Sequence, residues 1–196
     1  MKLYNVSYSG NCYKVRLLLA HLGLPYDIIE VDILKGESRT PAFLQINPNG
    51  RTPVLDDDGF ILAESNAILV YLARGTKFLP EERRREALVF QWLFFEQYSH
   101  EPYIATSRFW LQHKPDSPER RAVLAARRQG GWAALKVMEG HLAEHEYLVG
   151  DYSIADMALF AYTHVSDEGG FTLDQFPNIR AWISRVQKQP GFVPMV

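Results

Sequence analysis

The chain has 196 residues, with 21 Lys and Arg against 23 Asp and Glu, a net charge of −2 at pH 7. That near-balance gives no electrostatic case for nucleic acid or an anionic membrane, and no apolar run approaches the ~18 residues of a membrane span. A hydrophobic share of 47% supports one domain or two small ones with a sizeable core, and a single cysteine, Cys12, excludes an internal disulfide, a zinc knuckle and a dithiol redox pair.

Met1-Lys2-Leu3-Tyr4-Asn5 reads directly into a strand, with no signal-peptide pattern, so a cytoplasmic address is expected. Leu3–Ser7 is a short apolar run, followed by the turn-forming Tyr8-Ser9-Gly10-Asn11. Lys14–Leu22 has helical spacing, with Val15, Leu18, Leu19 and Leu22 on one face, and Gly23 and Pro25 stop it. Tyr26–Val31 reads as a second strand, and Thr40–Gln45 as a short helix before the turn Asn47-Pro48-Asn49-Gly50. Two strands flank Asp58-Gly59, a strong hairpin signal. Thr52-Pro53 stands at the entrance of the first, where a proline reads as a first-position residue or as a cis bond that exposes the preceding backbone. Ser65 is placed to cap a helix running to about Ala73. The order βαβαββα predicts a mixed sheet.

From about Glu81 the strand signals vanish. Leu88, Trp92 and Phe95 mark one helix, and Pro115 and Pro118 punctuate a loop. Leu124, Gly131, Leu135, Met138 and Leu142 follow a second helix. Ser153-Ile154-Ala155-Asp156 before an apolar run is a capping box, with Tyr152 and Met157 as its hydrophobic staple. Trp182, Ile183 and Val186 mark a last helix before Pro190. The expected division is residues 1–75, a linker at 76–82, and an all-helical domain over 83–196. Arg83-Arg84-Arg85 lies among glutamates and reads as a solvated helix start; the His141/His145 pair, which has metal-binding spacing but no third ligand, reads as a solvated helix face, and no metal is expected.

In this order the motifs resemble the cytosolic glutathione S-transferases over nearly the whole chain. The likeness rests on Tyr8-Ser9-Gly10-Asn11-Cys12-Tyr13-Lys14-Val15-Arg16, Asn49-Gly50-Arg51-Thr52-Pro53-Val54-Leu55, Glu64-Ser65, and Ser153-Ile154-Ala155-Asp156. It implies a thioredoxin-like α/β first domain, with a four-stranded mixed sheet, and an all-α second domain. It also implies glutathione as cosubstrate, no permanently bound cofactor, a hydrophobic electrophile as the other substrate, and a homodimer.

The resemblance assigns roles to single residues. Thr52, before a cis Pro53, would pair its backbone with the cysteinyl part of glutathione. Glu64 and Ser65 would hold the γ-glutamyl end, and Arg51 the glycyl carboxylate. Ser9 stands where theta-, zeta- and nu-like members place the hydroxyl that stabilises the thiolate, and Asn11 matches a nu-like asparagine. Cys12 is the rival nucleophile, by analogy with beta- and omega-like members, whose cysteines match Asn11 and Ser9 respectively. Phe94, Tyr98, Tyr103 and Arg108 are the candidates for electrophile binding, expected where the two halves meet. The leading expectation is conjugation of glutathione to electrophiles. The alternatives are glutathione-dependent reduction of disulfides or peroxides, and a binding or regulatory module without chemistry.

Overall fold

The computed structural model describes residues 1–195, which form two compact units: Met1–Thr76 joined by the segment from Pro190, and Lys77–Gln189. The sequence assigned everything after residue 82 to the helical domain. Instead, the tail from Pro190 belongs with the first unit, because Tyr13 Oη donates to the Val193 carbonyl at 2.7 Å and a His21 ring nitrogen meets the Pro190 carbonyl at 2.8 Å.

In the first unit the elements run β1 (Lys2–Asn5), α1 (Gly10–Leu22), β2 (Asp27–Glu30), α2 (Pro41–Ile46), β3 (Val54–Asp57), β4 (Phe60–Ala63) and α3 (Ser65–Ala73). The strand order is β2-β1-β3-β4, with β1 and β2 parallel and the other pairs antiparallel. This is the expected thioredoxin-like mixed sheet. Strand alternation sends neighbouring residues to opposite faces. Leu3 and Leu55 pack with Val15 and Leu19 of α1 and Ile68 of α3, whereas Val54 packs with Phe43 of α2. Asp58 and Gly59 both have positive φ, 51° and 93°, which matches the two-residue hairpin with Asp57 opposite Phe60. Gly23, at φ 64°, closes α1 by sending its N–H to Ala20 and Leu19 carbonyls.

One cap differs from the expectation. Ser65 is the first helical residue of α3, and Glu64 is the N-cap, with φ 71° and no side-chain capping bond. Serine's hydroxyl is thereby released from capping.

The second unit contains α4 (Arg83–Phe95), α5 (Glu101–His113), α6 (Pro118–Leu142), α7 (Ile154–Thr163) and α8 (Pro177–Gln187). Helix α5, which the sequence reading passed over, starts with Pro102 in its first turn, a tolerated position whose missing N–H hides a helix start as a break. It is joined to α4 by a π-turn over Glu96–His100. Leu88 is 44% exposed, so the buried stripe of α4 runs instead through Val89, Trp92 and Leu93. Every residue of α7 is buried, and its capping box forms as expected, with Ser153 N–H donating to Asp156 Oδ2 at 3.0 Å. Among the described residues no helix is long and apolar enough to cross a membrane.

Candidate functional site

In the first unit the expected site residues come from three loops around one end of α1. Ser9 caps α1: its Oγ accepts the Cys12 N–H at 3.4 Å, and its own backbone N–H donates to Val6 at 3.0 Å. Accepting one N–H occupies a lone pair and leaves the hydroxyl hydrogen to donate elsewhere. Arg16, buried one turn further along α1, fixes this turn by donating to the Val6 carbonyl at 3.4 Å, the Ser7 carbonyl at 2.8 Å and Asn5 Oδ1 at 2.6 Å.

The second loop carries Arg51, Thr52 and Pro53. The Thr52–Pro53 peptide is cis, and Thr52 lies outside the sheet pairing, which begins at Val54 opposite Tyr4. Buried Asn47 braces the loop, giving its amide to the Arg51 carbonyl at 2.8 Å and accepting the Asn49 N–H at 3.1 Å. Gly50, at φ 61°, is required here: a Cβ would stand 2.8 Å from the Ser38 carbonyl oxygen. Arg51 itself is exposed.

The third loop is the start of α3. A left-handed φ at a non-glycine residue costs on the order of 1–3 kcal/mol and collects at functional sites. Glu64, at φ 71°, is such a residue, exposed beside the first N–H groups of the helix. These donors and the helix dipole favour a carboxylate. Ser65 donates to Asn11 Oδ1 at 3.3 Å, so the α3 terminus and the first turn of α1 share a hydrogen bond. Lys14, wholly buried, donates to Ser65 Oγ and Asn66 Oδ1, both at 3.3 Å.

Cys12 lies beneath these groups, with no exposed surface. Val6 N–H points at its sulfur from 3.3 Å. Burial pushes the thiol up from its ordinary pKa, and the Thr52 and Ser9 hydroxyls, the Val6 N–H and Arg16 only oppose that. This environment favours a neutral, sheltered thiol over a nucleophile.

Residues 1–74 match the family of the glutathione S-transferase N-terminal domain, and residues 92–190 that of the glutathione S-transferase C-terminal domain. The chain belongs to the glutathione S-transferase family. It superposes on a crystal structure of a glutathione S-transferase from Pseudomonas fluorescens Pf-5 with a TM-score of 0.97 and 55% identity, covering 100% of this chain and 98% of that one. Among curated relatives, the probable glutathione S-transferase GSTF2 of Oryza sativa is 31% identical over 97% of this chain and 93% of its own. The disulfide-bond oxidoreductase YfcG of Escherichia coli is 32% identical over 92% and 87% respectively.

The four residues of the second unit that were expected to bind an electrophile are placed very differently. Phe94 and Tyr98 are 71% and 84% exposed. Tyr103 lies on Gly130 of α6, where a Cβ would come within 2.4 Å of its ring. Arg108 is buried, and its Nε donates to Glu168 at 2.5 Å, an oxygen that Gln112 also binds at 2.6 Å. A cavity of about 370 Å³ in this unit is lined by other residues, among them Lys77, Arg85 and Asp151. Among the described residues no group of three or more His, Cys, Asp or Glu is arranged to hold a metal ion; His141 and His145 stack in parallel 4.2 Å apart.

Sequence reasoning missed Lys14, Arg16 and Asn47. Lysine and arginine on a helix ordinarily face water, and asparagine is common in turns. For Lys14 and Arg16 the available signal was their position inside a motif that carried the resemblance; Asn47 stands two residues before another.

Proposed function

We propose that this protein is a glutathione S-transferase of theta- or nu-like type, with Ser9 at the thiol-activating position, that joins the glutathione thiolate to small hydrophobic electrophiles. The observation that carries this reading is the hydrogen bond between Ser65 and Asn11, which ties the anion-favouring start of α3 to the turn that presents Ser9. Glutathione would lie along these loops. Its γ-glutamyl end would meet Glu64 and Ser65, its cysteinyl backbone Thr52, and its glycyl carboxylate Arg51. A thiol with an ordinary pKa of ~8.5 is mostly protonated at neutral pH. A hydroxyl hydrogen and the positive end of α1 favour its thiolate, and the bound geometry supplies orientation. Phe94 and Tyr98, with exposed aromatic surface, suit the electrophile better than Arg108, whose guanidinium is held by Glu168. Phe60, Ile61 and Tyr71 expose apolar surface on the first unit, which supports a homodimer. A cytoplasmic address is supported by the single free cysteine, which suits a reducing compartment.

Calorimetry with glutathione, followed by conjugation assays on a panel of electrophiles, tests the reading; absence of glutathione binding by the folded chain overturns it.

A second reading has its own support in Asn11 and in the likeness to YfcG. In it two glutathione thiols are oxidised to one glutathione disulfide while a disulfide substrate is reduced to two thiols. No protein thiol is needed, in keeping with the burial of Cys12. Assaying the same preparation with a mixed disulfide separates the two readings.

A further inference from the structure

Lys14 has no exposed surface, although it sits on a helix and carries a charge. Removing an ammonium from water costs several kcal/mol unless its hydrogen bonds are well placed. Two of them go to the first turn of α3, to Ser65 Oγ and Asn66 Oδ1, both at 3.3 Å. That helix end is already the positive pole of α3. A cation buried against a positive helix terminus is an arrangement that a bound anion relieves.

The hydrogen-bond directions carry the argument further. An ammonium has only donors, so Ser65 Oγ must accept from Lys14. The single hydroxyl hydrogen of Ser65 is then turned away from the interior, and in this structure it reaches Asn11 Oδ1 at 3.3 Å. A hydroxyl that accepts from a cation is also polarised into a stronger donor.

We propose that Lys14 is a positioning residue that sets the specificity of this site for a carboxylate. It orients and polarises the Ser65 hydroxyl, and with a ligand bound that hydrogen passes from Asn11 to the α-carboxylate of the γ-glutamyl group. This rests on the glutathione reading above. Lys14 touches neither the ligand nor the thiol; it acts through Ser65, and its charge adds to the field of the α3 terminus.

The test compares glutathione with its analogue in which the γ-glutamyl α-carboxylate is a primary amide, by calorimetry on the wild type, Lys14→Met and Lys14→Arg. The wild type should prefer glutathione by roughly ten- to a hundredfold, the scale of a hydrogen bond to a charged group. Lys14→Met should lose about tenfold in glutathione affinity while its affinity for the amide stays the same, so that discrimination collapses. Lys14→Arg, which keeps the charge, should retain part of the preference. A folded Lys14→Met that discriminates like the wild type, or that loses both ligands equally, overturns the role and leaves the glutathione reading standing. A wild type that binds neither ligand overturns the reading and the role together, and one that binds both alike overturns the role and leaves the glutathione reading standing. Should Lys14→Met not fold, the wild type decides: the ¹⁵N signal of the Lys14 ammonium should shift with glutathione and not with the amide, and equal shifts overturn the role.

Discussion

Ser65 and Asn11, 54 positions apart, share a hydrogen bond of 3.3 Å. The bond places the start of α3 against the first turn of α1, so under the proposed reading a peptide held at one end would be presented to the other. If Glu64 and Ser65 are the γ-glutamyl anchors, replacing both by alanine leaves charged ligand groups without partners. Glutathione affinity should fall by about 1 to a few kcal/mol. Calorimetry on the folded double variant checks it, and unchanged affinity would remove both residues from the site.

Ser9 and Asn11 should separate kinetically. Loss of one hydrogen bond to a thiolate is worth about 1.5–3 kcal/mol. Ser9→Ala should then raise the pKa of the bound thiol by roughly one to two units, at 1.36 kcal/mol per unit. Conjugation at neutral pH should drop by about ten- to a hundredfold and recover at higher pH. Following thiolate absorbance against pH gives the result directly; an unshifted titration in Ser9→Ala removes the role from Ser9 and moves it to Asn11, Cys12 or backbone donors.

Cys12 should be inert in the native state. It is wholly buried and burial pushes its thiol upward, so alkylating reagents should modify it only as fast as the protein opens. Cys12→Ala should cost about 1–2 kcal/mol of stability by leaving a small void, with little change in activity. Mass spectrometry of native chain incubated with oxidised glutathione should find no adduct, and a stoichiometric adduct would restore Cys12 as nucleophile.

Asp156 gives stability an unusual pH dependence. Its carboxyl accepts from Trp182 Nε1, from the Leu148 and Ser153 N–H groups and from the Ser153 hydroxyl, yet complete burial pushes it up to about 6 from 3.8. A raised carboxyl means that the folded state holds the proton more tightly than the unfolded one. This contribution is therefore present in full below about pH 4 and is lost as pH rises through about 6. The swing is about 3 kcal/mol at 1.36 kcal/mol per unit. Asp156→Asn cannot titrate and turns an amide hydrogen toward the Ser153 N–H. It should be less stable than wild type at neutral pH, with the gap widening as pH falls from about 6 to 4. Urea unfolding at several pH values measures the gap; a constant gap would mean that the group is ionised throughout.

The glycines of α6 should respond in opposite directions. A Cβ at Gly130 or Gly131 would stand 2.4 Å from the Tyr103 or Phe171 ring, whereas at Gly140 it meets nothing within 4 Å. Gly140→Ala should stabilise by about 0.5–1 kcal/mol through helix propensity. Gly130→Ala and Gly131→Ala should instead destabilise by about 1–3 kcal/mol, because overpacking outweighs that gain. Thermal melts of the three variants decide, and stabilisation in all three would show that the rings move aside at little cost.

By itself the sequence determined what is local. Asp58-Gly59 specifies its turn through φ preferences, Gly23 stops α1, and Ser153 with Asp156 builds a cap within four residues. The Ser9 turn, Thr52-Pro53 and Glu64-Ser65 were legible because each is a short segment whose residue types fit a special backbone. Tertiary structure decided everything that depends on a distant partner. Helix α5 lay hidden behind Pro102, Leu88 turned outward, and Glu64 took the cap expected of Ser65 because the chain must swing from β4 into α3. In sequence, Lys14 looks like a surface lysine, and Cys12 reads as a packing cysteine or a rival nucleophile. Packing buries α1 on all sides, and burial alone turns one into an interior cation and the other into a sheltered sulfur. Solvent exclusion is a property of neighbours brought from far along the chain, and a residue's own type does not encode it.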